Sequence, residues 1–290
     1  MFLARRLLRW LWRHWLLWVV IIAVLLLALS RREALRALFA TLREGAWQWI
    51  LVAVGLQALF FFLYALGYQQ AFATVQIKSR VLDLLPVVFA AIFVSTASPT
   101  AGLTGAALYI GAVTRRGQPA VRAAEGLLLE TVIENIALVP VLVVGLSYLL
   151  SSQALAAYMS LATLFYLIYT AGLCLLLFVA RWDPRLLRRA LLWLQRAVNR
   201  IARRFGRAEL LGADWGERNA AELRAAADAI ARNPAGVGRT MAVALVRQGV
   251  NLATLYALFS AFRHPAGLGL IAAGYAVGLV FAVISVLPYE

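Results

Sequence analysis

Three long stretches of this chain contain no Asp, Glu, Lys or Arg: 46–77, 84–114 and 135–180. A helix crossing the hydrocarbon core of a bilayer needs about 20 apolar residues. Each stretch therefore reads as membrane-spanning, and the last is long enough for two helices. Charged residues make up only 14% of the whole chain and the mean hydropathy is +0.82, whereas a soluble domain carries about a quarter charged residues. A water-soluble globule is excluded on that ground. A transmembrane β-barrel is excluded because its strands would alternate polar and apolar residues, and these runs do not. The fold class is all-α: a polytopic transmembrane helical bundle of six to seven spans, forming a single membrane domain over residues 1–290.

The spans can be placed along the chain. Residues 1–14 carry Arg5, Arg6, Arg9 and Arg13, and 15–29 are apolar. This resembles the charged and apolar regions of a signal peptide, with Ala28-Leu29-Ser30 as a passable cleavage site. Arg31 and Arg32 come directly after it, and Trp10, Trp12, Trp15 and Trp18 form an interfacial aromatic belt, so an uncleaved first helix is expected. A second span is expected over 46–67. A third apolar stretch, 84–101, is broken near its end by Pro99, Gly102 and Gly105. The fourth helix is expected over 120–150 and the fifth over 154–180, hinged at Ser151-Ser152-Gln153. The sixth and seventh are expected over 240–262 and 267–287. In the seventh, Gly274 and Gly278 make a small-xxx-small pattern, which suits close packing within the bundle or a homodimer.

The net charge is +15. In a membrane protein such an excess fits anionic phospholipid headgroups and orientation in the bilayer rather than nucleic acid. The one substantial polar region, 181–239, is read as a basic amphipathic connector on the cytoplasmic side. Between Arg181 and Arg232 it holds 12 arginines against six acids. Asp183-Pro184 marks a helix start. Leu187, Leu191, Leu194, Val198, Ile201 and Phe205 then recur at spacings of four and three, with arginines on the other faces. A second, alanine-rich helix is expected over 217–232, ending at Asn233-Pro234. The basic clusters allow two orientation schemes. If every apolar stretch crosses, the N-terminus lies outside. If 84–101 dips in and returns to its own side, the N-terminus lies inside, with Lys78, Arg80, Arg115 and Arg116. The second is preferred. It implies a cavity, since non-helical backbone at membrane depth survives only where protein or water covers it.

Two groups of residues could carry chemistry. The first is the break at Ser98, Pro99, Thr100, Gly102, Thr104 and Gly105, with Tyr109, Arg115 and Arg116 beyond it. A broken helix can present backbone N–H groups and a positive dipole end to an anion. Hydroxyls and the arginine pair would then complete a lipid-phosphate site. The same residues also suit a tight loop that permits close helix packing. The second is the polar set Glu125, Glu130, Glu134 and Asn135 on the fourth helix, with Arg247, Gln248 and Asn251 on the sixth. Glu130 and Glu134, four apart, share a helix face. A carboxylate in a spanning helix costs about 2.5–3.5 kcal/mol on insertion scales, so these should turn inward and find a partner. Glu130 lies eight residues beyond Arg122 and Arg247 eight beyond Arg239. Both are thus about 12 Å deep at about 1.5 Å per residue. Equal depth permits an ion pair, which serves either structure or a path for a headgroup or proton.

No catalytic constellation is evident. The two histidines, His14 and His264, are far apart in sequence, no phosphate-binding Gly-x-x-x-x-Gly-Lys loop occurs, and no set of His and Cys has metal-ligand spacing. Cys174 stands alone in an apolar run and reads as a small buried hydrophobe. No cofactor, no metal and no enzymatic activity are expected.

The break, together with the segment GAALYIGAVTRRGQPAVRAAEGLLLETVIE from Gly105 to Glu134, resembles the lysylphosphatidylglycerol synthase transmembrane-region family, and the resemblance covers roughly residue 10 to the end. These are flippase-like membrane domains, found alone or fused to aminoacyl-phospholipid synthases. Pro99, Gly102, Gly105, Tyr109, Arg115, Arg116 and Gly117 match the family's break, aromatic residue and basic pair before glycine. Glu130 and Glu134 are similar to its acidic pair, with Thr131 where many members have arginine. The family usually closes with a proline-and-glycine motif, a glutamate and one more helix, where this chain ends Leu287-Pro288-Tyr289-Glu290. A shortened member is one expectation, and Glu290 as the remnant of that motif is the other. The resemblance implies a multi-pass protein of the cytoplasmic membrane that binds, and translocates, phospholipid or a lipid-linked polar molecule. Its partners would be membrane phospholipids, anionic ones foremost. An accessory membrane domain of a lipid-modifying transferase and a non-transporting structural subunit are the alternatives.

Overall fold

A computed structural model of the chain describes residues 45–97, 101–151, 157–204, 211–263 and 266–285. Within them the protein is helical: α1 (Trp47–Thr74), α2 (Val81–Ala97), α3 (Ala101–Thr114), α4 (Ala120–Ser151), α5 (Ala157–Trp182), α6 (Pro184–Arg204), α7 (Trp215–Arg232), α8 (Pro234–Ala261) and α9 (Leu268–Ser285). The expected first span at 15–29 lies outside the described residues. Three helices, α1, α4 and α8, are long and apolar enough to cross a membrane. Many of the large apolar side chains point outward, among them Leu51 (59% exposed), Phe93 (64%) and Ile168 (60%). An apolar exterior of that kind has lipid, not water, as its solvent.

Helices α1 and α8 form the spine. They run antiparallel over their full lengths, tied at one end by Ala46 N–H donating to Ala261 O (2.8 Å) and at the other by Asn233 Nδ2 donating to Thr74 O (3.4 Å). Their buried positions are mostly small: Ala53, Ala65, Gly67 and Ala71 on α1, and Gly236, Thr240, Ala244, Ala257 and Ala261 on α8. Small residues let backbones approach closely where no hydrophobic effect drives helices together. α8 begins six residues before the expected start because Pro234 occupies its first turn and the Asn233 side chain accepts from Gly236 N–H (2.9 Å). α1 continues past Gly67 to Thr74, and the chain then turns at Gln76, whose φ is 63°.

Helices α2 and α3 form a hairpin that enters and leaves at the Thr74 end of the bundle. Arg116 and Asp83 close its base with an ion pair of 2.9 Å, and Gly117, at φ 76°, makes the turn into α4. With 17 and 14 residues the two legs reach about 25 and 21 Å, short of the roughly 30 Å hydrocarbon core. Both legs open at one end of the bundle, the geometry that a re-entrant element of the second scheme would need. It places Lys78, Arg80, Arg115 and Arg116 at the same end as the 181–239 connector.

The connector is an antiparallel pair, α6 against α7. Asp183 Oδ1 accepts from Leu186 N–H (3.0 Å) and Pro184 opens α6. The buried face of α6 is rotated from the expected stripe: Leu187, Leu191, Gln195, Asn199 and Ala202 are buried, while Leu194 (41%) and Ile201 (58%) are exposed. The cause is hydrogen bonding. Gln195 donates to Gly212 O (2.7 Å) and accepts from Gly216 N–H (2.9 Å). Asn199 donates to Leu211 O (2.8 Å) and accepts from its N–H (3.0 Å). These two amides hold the backbone leading into α7, satisfying polar groups that burial would otherwise leave unpaired. The seventh span meets the described helices through other residues than its two glycines. Gly274 and Gly278 are exposed and have nothing of the described protein against them, so they make no close contact with the described helices. The close contact to α9 is made by Gly145 of α4, where an added Cβ would lie 2.6 Å from Ala272 O and 2.9 Å from Ala276.

Candidate functional site

The polar residues of α4 and α8 meet inside the bundle. Arg247 Nη1 donates to Glu130 Oε1 at 3.0 Å, and Nη2 pairs with Glu134 Oε2. The side chains of Arg247 and Glu130 are 0% and 3% exposed, and that of Glu134 is 26%. From Glu134 a polar seam runs toward α9: Gln248 Nε2 donates to Glu134 Oε1 (3.1 Å), and the Tyr275 hydroxyl donates to Gln248 Oε1 (3.2 Å). Asn251 lies one helical turn beyond Gln248 on α8 and is half-buried. Two carboxyl groups thus share one guanidinium, and the Glu134 side of the cluster is half-open. Among the described residues, Glu130 Oε2 and Arg247 Nε have no hydrogen-bond partner.

Sequence spacing implied the Glu130–Arg247 pair, but not what makes room for it. Gly67 of α1 lies directly against the pair, where an added Cβ would sit 2.7 Å from Glu130 Oε1 and 3.2 Å from Arg247 Nη1. The ring of Tyr64, one helical turn before Gly67, covers the guanidinium at 4.3 Å, a cation–π contact. Tyr64 packs on Tyr68 (5.7 Å between centroids), and Tyr68 stacks on Tyr109 of α3 (4.0 Å). An i, i+3, i+4 arrangement of Tyr64, Gly67 and Tyr68 on one apolar helix was the only available signal, and it resembles ordinary core.

The residues around the helix break are partly placed. Ser98, Pro99 and Thr100 lie outside the described residues, and Gly102 and Thr104 fall in the first turns of α3, where the backbone alone is described. Gly105 is buried. Tyr109 is 3% exposed and built into the core through Tyr68, so it links the hairpin to the Arg247 cluster. Arg115 Nε donates to Gly111 O (3.0 Å) and Arg116 pairs with Asp83. Asn135 turns back on its own helix, donating to Thr131 O (2.7 Å), while its carbonyl accepts from Tyr166 (3.1 Å); it does not join the cluster.

Glu125 occupies a different site. It lines a polar cleft of about 320 Å³ at the connector end, formed by the end of α1, the start of α4, the end of α7 and the start of α8. Thr74, Val75 and Ala229 are its buried floor, and Gln76, Arg122, Arg232 and Asn233 surround it with Glu125. Among the described residues no group of His, Cys, Asp and Glu could hold a metal ion.

No curated protein and no solved structure matches this chain. Residues 15–289, nearly its whole length, match the family model described as the lysylphosphatidylglycerol synthase TM region, and the chain, an integral multi-pass membrane protein, belongs to that family.

Proposed function

We propose that this protein binds phospholipid, or a lipid-linked polar molecule, and moves its headgroup across the cytoplasmic membrane. The observation that carries the reading is the Arg247–Glu130–Glu134 cluster, ionisable groups held at membrane depth within apolar helices. Such residues are expensive and typically line the interior or a polar path. Here the two halves of the cluster differ. The Glu130–Arg247 pair is closed off, which suits a structural role. Glu134, with Gln248, Asn251 and Tyr275, is the half that a passing ammonium or phosphate ester could touch. Family membership supports lipid handling as the general task. The arginine excess of the connector end supports placing it in the cytoplasm, against anionic lipid headgroups. The chain acts in this reading as a carrier, not as an enzyme.

The test is a translocation assay in proteoliposomes containing a headgroup-labelled phospholipid, with label reduced chemically from outside. Wild-type protein is expected to expose inner-leaflet label, and Glu134→Gln to slow that exposure while leaving thermal stability close to wild type. Protection of the inner leaflet equal to that of protein-free vesicles would overturn the reading. A covalent product formed on the lipid by purified protein would instead favour a transferase-associated role.

A further inference from the structure

The cleft at the connector end differs from the buried cluster in having cations to spare. Arg122 and Arg232 both line it, and neither closes an ion pair with a carboxylate of the described residues, whose ion pairs all lie elsewhere. The stem of Arg232 is fixed by Nε donating to Asp228 O (3.1 Å), which leaves its terminal nitrogens uncommitted. Glu125 is close enough to feel both positive charges. Asn233 contributes an amide already oriented by its cap on α8 and its bond to Thr74 O. Gln76 adds a second amide from a residue held at φ 63°, a left-handed backbone that a side-chain-bearing residue keeps only when its surroundings impose it.

We propose that this cleft binds a phosphate ester that carries an ammonium group: Arg122 and Arg232 take the phosphate oxygens, and Glu125 takes the ammonium. Guanidinium groups match phosphate oxygens through paired, charge-assisted hydrogen bonds. Two guanidiniums beside one carboxylate leave a net positive site that attracts the phosphate, and the carboxylate supplies the counter-charge for a cationic substituent. Among the residues lining the cleft there is no aromatic side chain on which a nucleobase could stack. Its place in the fold favours a lipid source over a free ion. Glu125 precedes Glu130 by five residues on α4, about 7.5 Å along the axis, so the cleft lies end-on to the buried cluster, at the arginine-rich connector end where anionic headgroups would be met. The proposal rests on the lipid-handling reading only for that source; the chemistry of the cleft stands apart from whether lipid is moved.

Equilibrium titration of the full-length protein in detergent tests it, with dioctanoyl phosphatidylethanolamine, dioctanoyl phosphatidylglycerol and sodium phosphate as probes. Arg122→Gln with Arg232→Gln is expected to weaken both lipids by about tenfold or more, the scale of losing charge-assisted hydrogen bonds. Glu125→Gln is expected to weaken phosphatidylethanolamine several-fold and to leave phosphatidylglycerol unchanged or tighter. Arg200→Gln, outside the cleft, is expected to change neither. Both guanidinium residues are exposed, so the variants should melt as wild type does; the single Arg232→Gln substitution provides the same reading at lower amplitude if the pair lowers yield. Wild-type titrations in the arginine variants would overturn the site. Equal loss of both lipids in Glu125→Gln would overturn the ammonium assignment. Sodium phosphate binding as tightly as phosphatidylethanolamine would overturn the lipid source. None of these outcomes depends on transport, so a failure here is distinguishable from a failure of translocation.

Discussion

The bundle contains two polar regions that share α1, α4 and α8, with α7 adding Arg232 to the outer one and α9 adding Tyr275 to the inner one, and they treat charge in opposite ways. In the interior cluster the guanidinium of Arg247 is wholly buried and is shared by two carboxylates, capped by Tyr64 and fitted against Gly67. In the cleft at the connector end, Arg122 and Arg232 line an open polar volume with one carboxylate, Glu125, beside them in the lining. The difference comes from what each charge can reach. A charge at membrane depth that lacks a partner is too costly to keep, so the chain supplies a partner and the glycine that admits it. A charge at the headgroup level is already solvated, so it can stay unpaired and be available to a ligand. The Glu130–Arg247 pair holds the helices in place, Glu134 keeps a half-open side, and the outer arginines are the ones left without a partner carboxylate.

The largest expected effect breaks the interior half. Arg247→Met leaves Glu130 and Glu134 without their cation and should cost about 3–5 kcal/mol, as for other broken buried pairs, measured by denaturant unfolding of the protein in mixed micelles. Removing the whole set at once, Arg247→Met with Glu130→Met and Glu134→Gln, should recover most of that loss. By contrast, Arg122→Gln should stay within about 0.5 kcal/mol of wild type, although it removes the same kind of charge.

A second substitution sharpens the comparison at the level of packing. Gly67→Ala puts a methyl group 2.7 Å from Glu130 Oε1 and should destabilise the protein by about 1–3 kcal/mol, the usual cost of overfilling a packed site. Gly55, on the same helix, has nothing within 4 Å; Gly55→Ala should be neutral or stabilising by under about 1 kcal/mol. Thermal melts of the two variants side by side decide the point.

Asn233 ties the two regions together, since it caps α8 and lines the cleft. Asn233→Ala should cost about 1 kcal/mol, the typical value of a lost N-cap, and should loosen the Thr74 end of α1 first, visible as faster hydrogen exchange there than at Ala46. The smallest effect lies in the connector. The Arg188 guanidinium, hydrogen-bonded to Glu217, holds that carboxyl below the usual carboxylate range. A depressed carboxylate contributes stability that is present above its unfolded value and is lost as pH falls through the folded one. The contact between α6 and α7 should therefore weaken only on strong acidification, and Glu217→Gln should remove that step from a pH-dependent melting curve.

Much of this architecture is legible in the chain. Charge-free stretches locate α1, α4 and α5, because each backbone polar group in lipid must be satisfied within its own helix. The depth arithmetic from Arg122 and Arg239 brings Glu130 and Arg247 to one level, because rise per residue is fixed. Other features depend on contacts that one sequence does not reveal. Gly67 and Tyr64 look like ordinary members of a greasy helix, and only the approach of α8 makes them part of the site. The buried face of α6 departs from its leucine stripe because Gln195 and Asn199, polar residues outside that stripe, clamp the α7 entry. The cleft is hidden in the sequence because Arg122, Glu125 and Arg232 are separated along the chain and resemble the many charges at the ends of helices.

The central claim is that this bundle is a binder of phospholipid headgroups. It is tested most directly by native mass spectrometry of the full-length protein released from a mixed-lipid bilayer. The account predicts discrete phospholipid adducts on the wild-type chain that are lost when Arg122 and Arg232 are both replaced by glutamine. A folded protein that leaves the bilayer bare, or one whose adducts are indifferent to those two arginines, would contradict it.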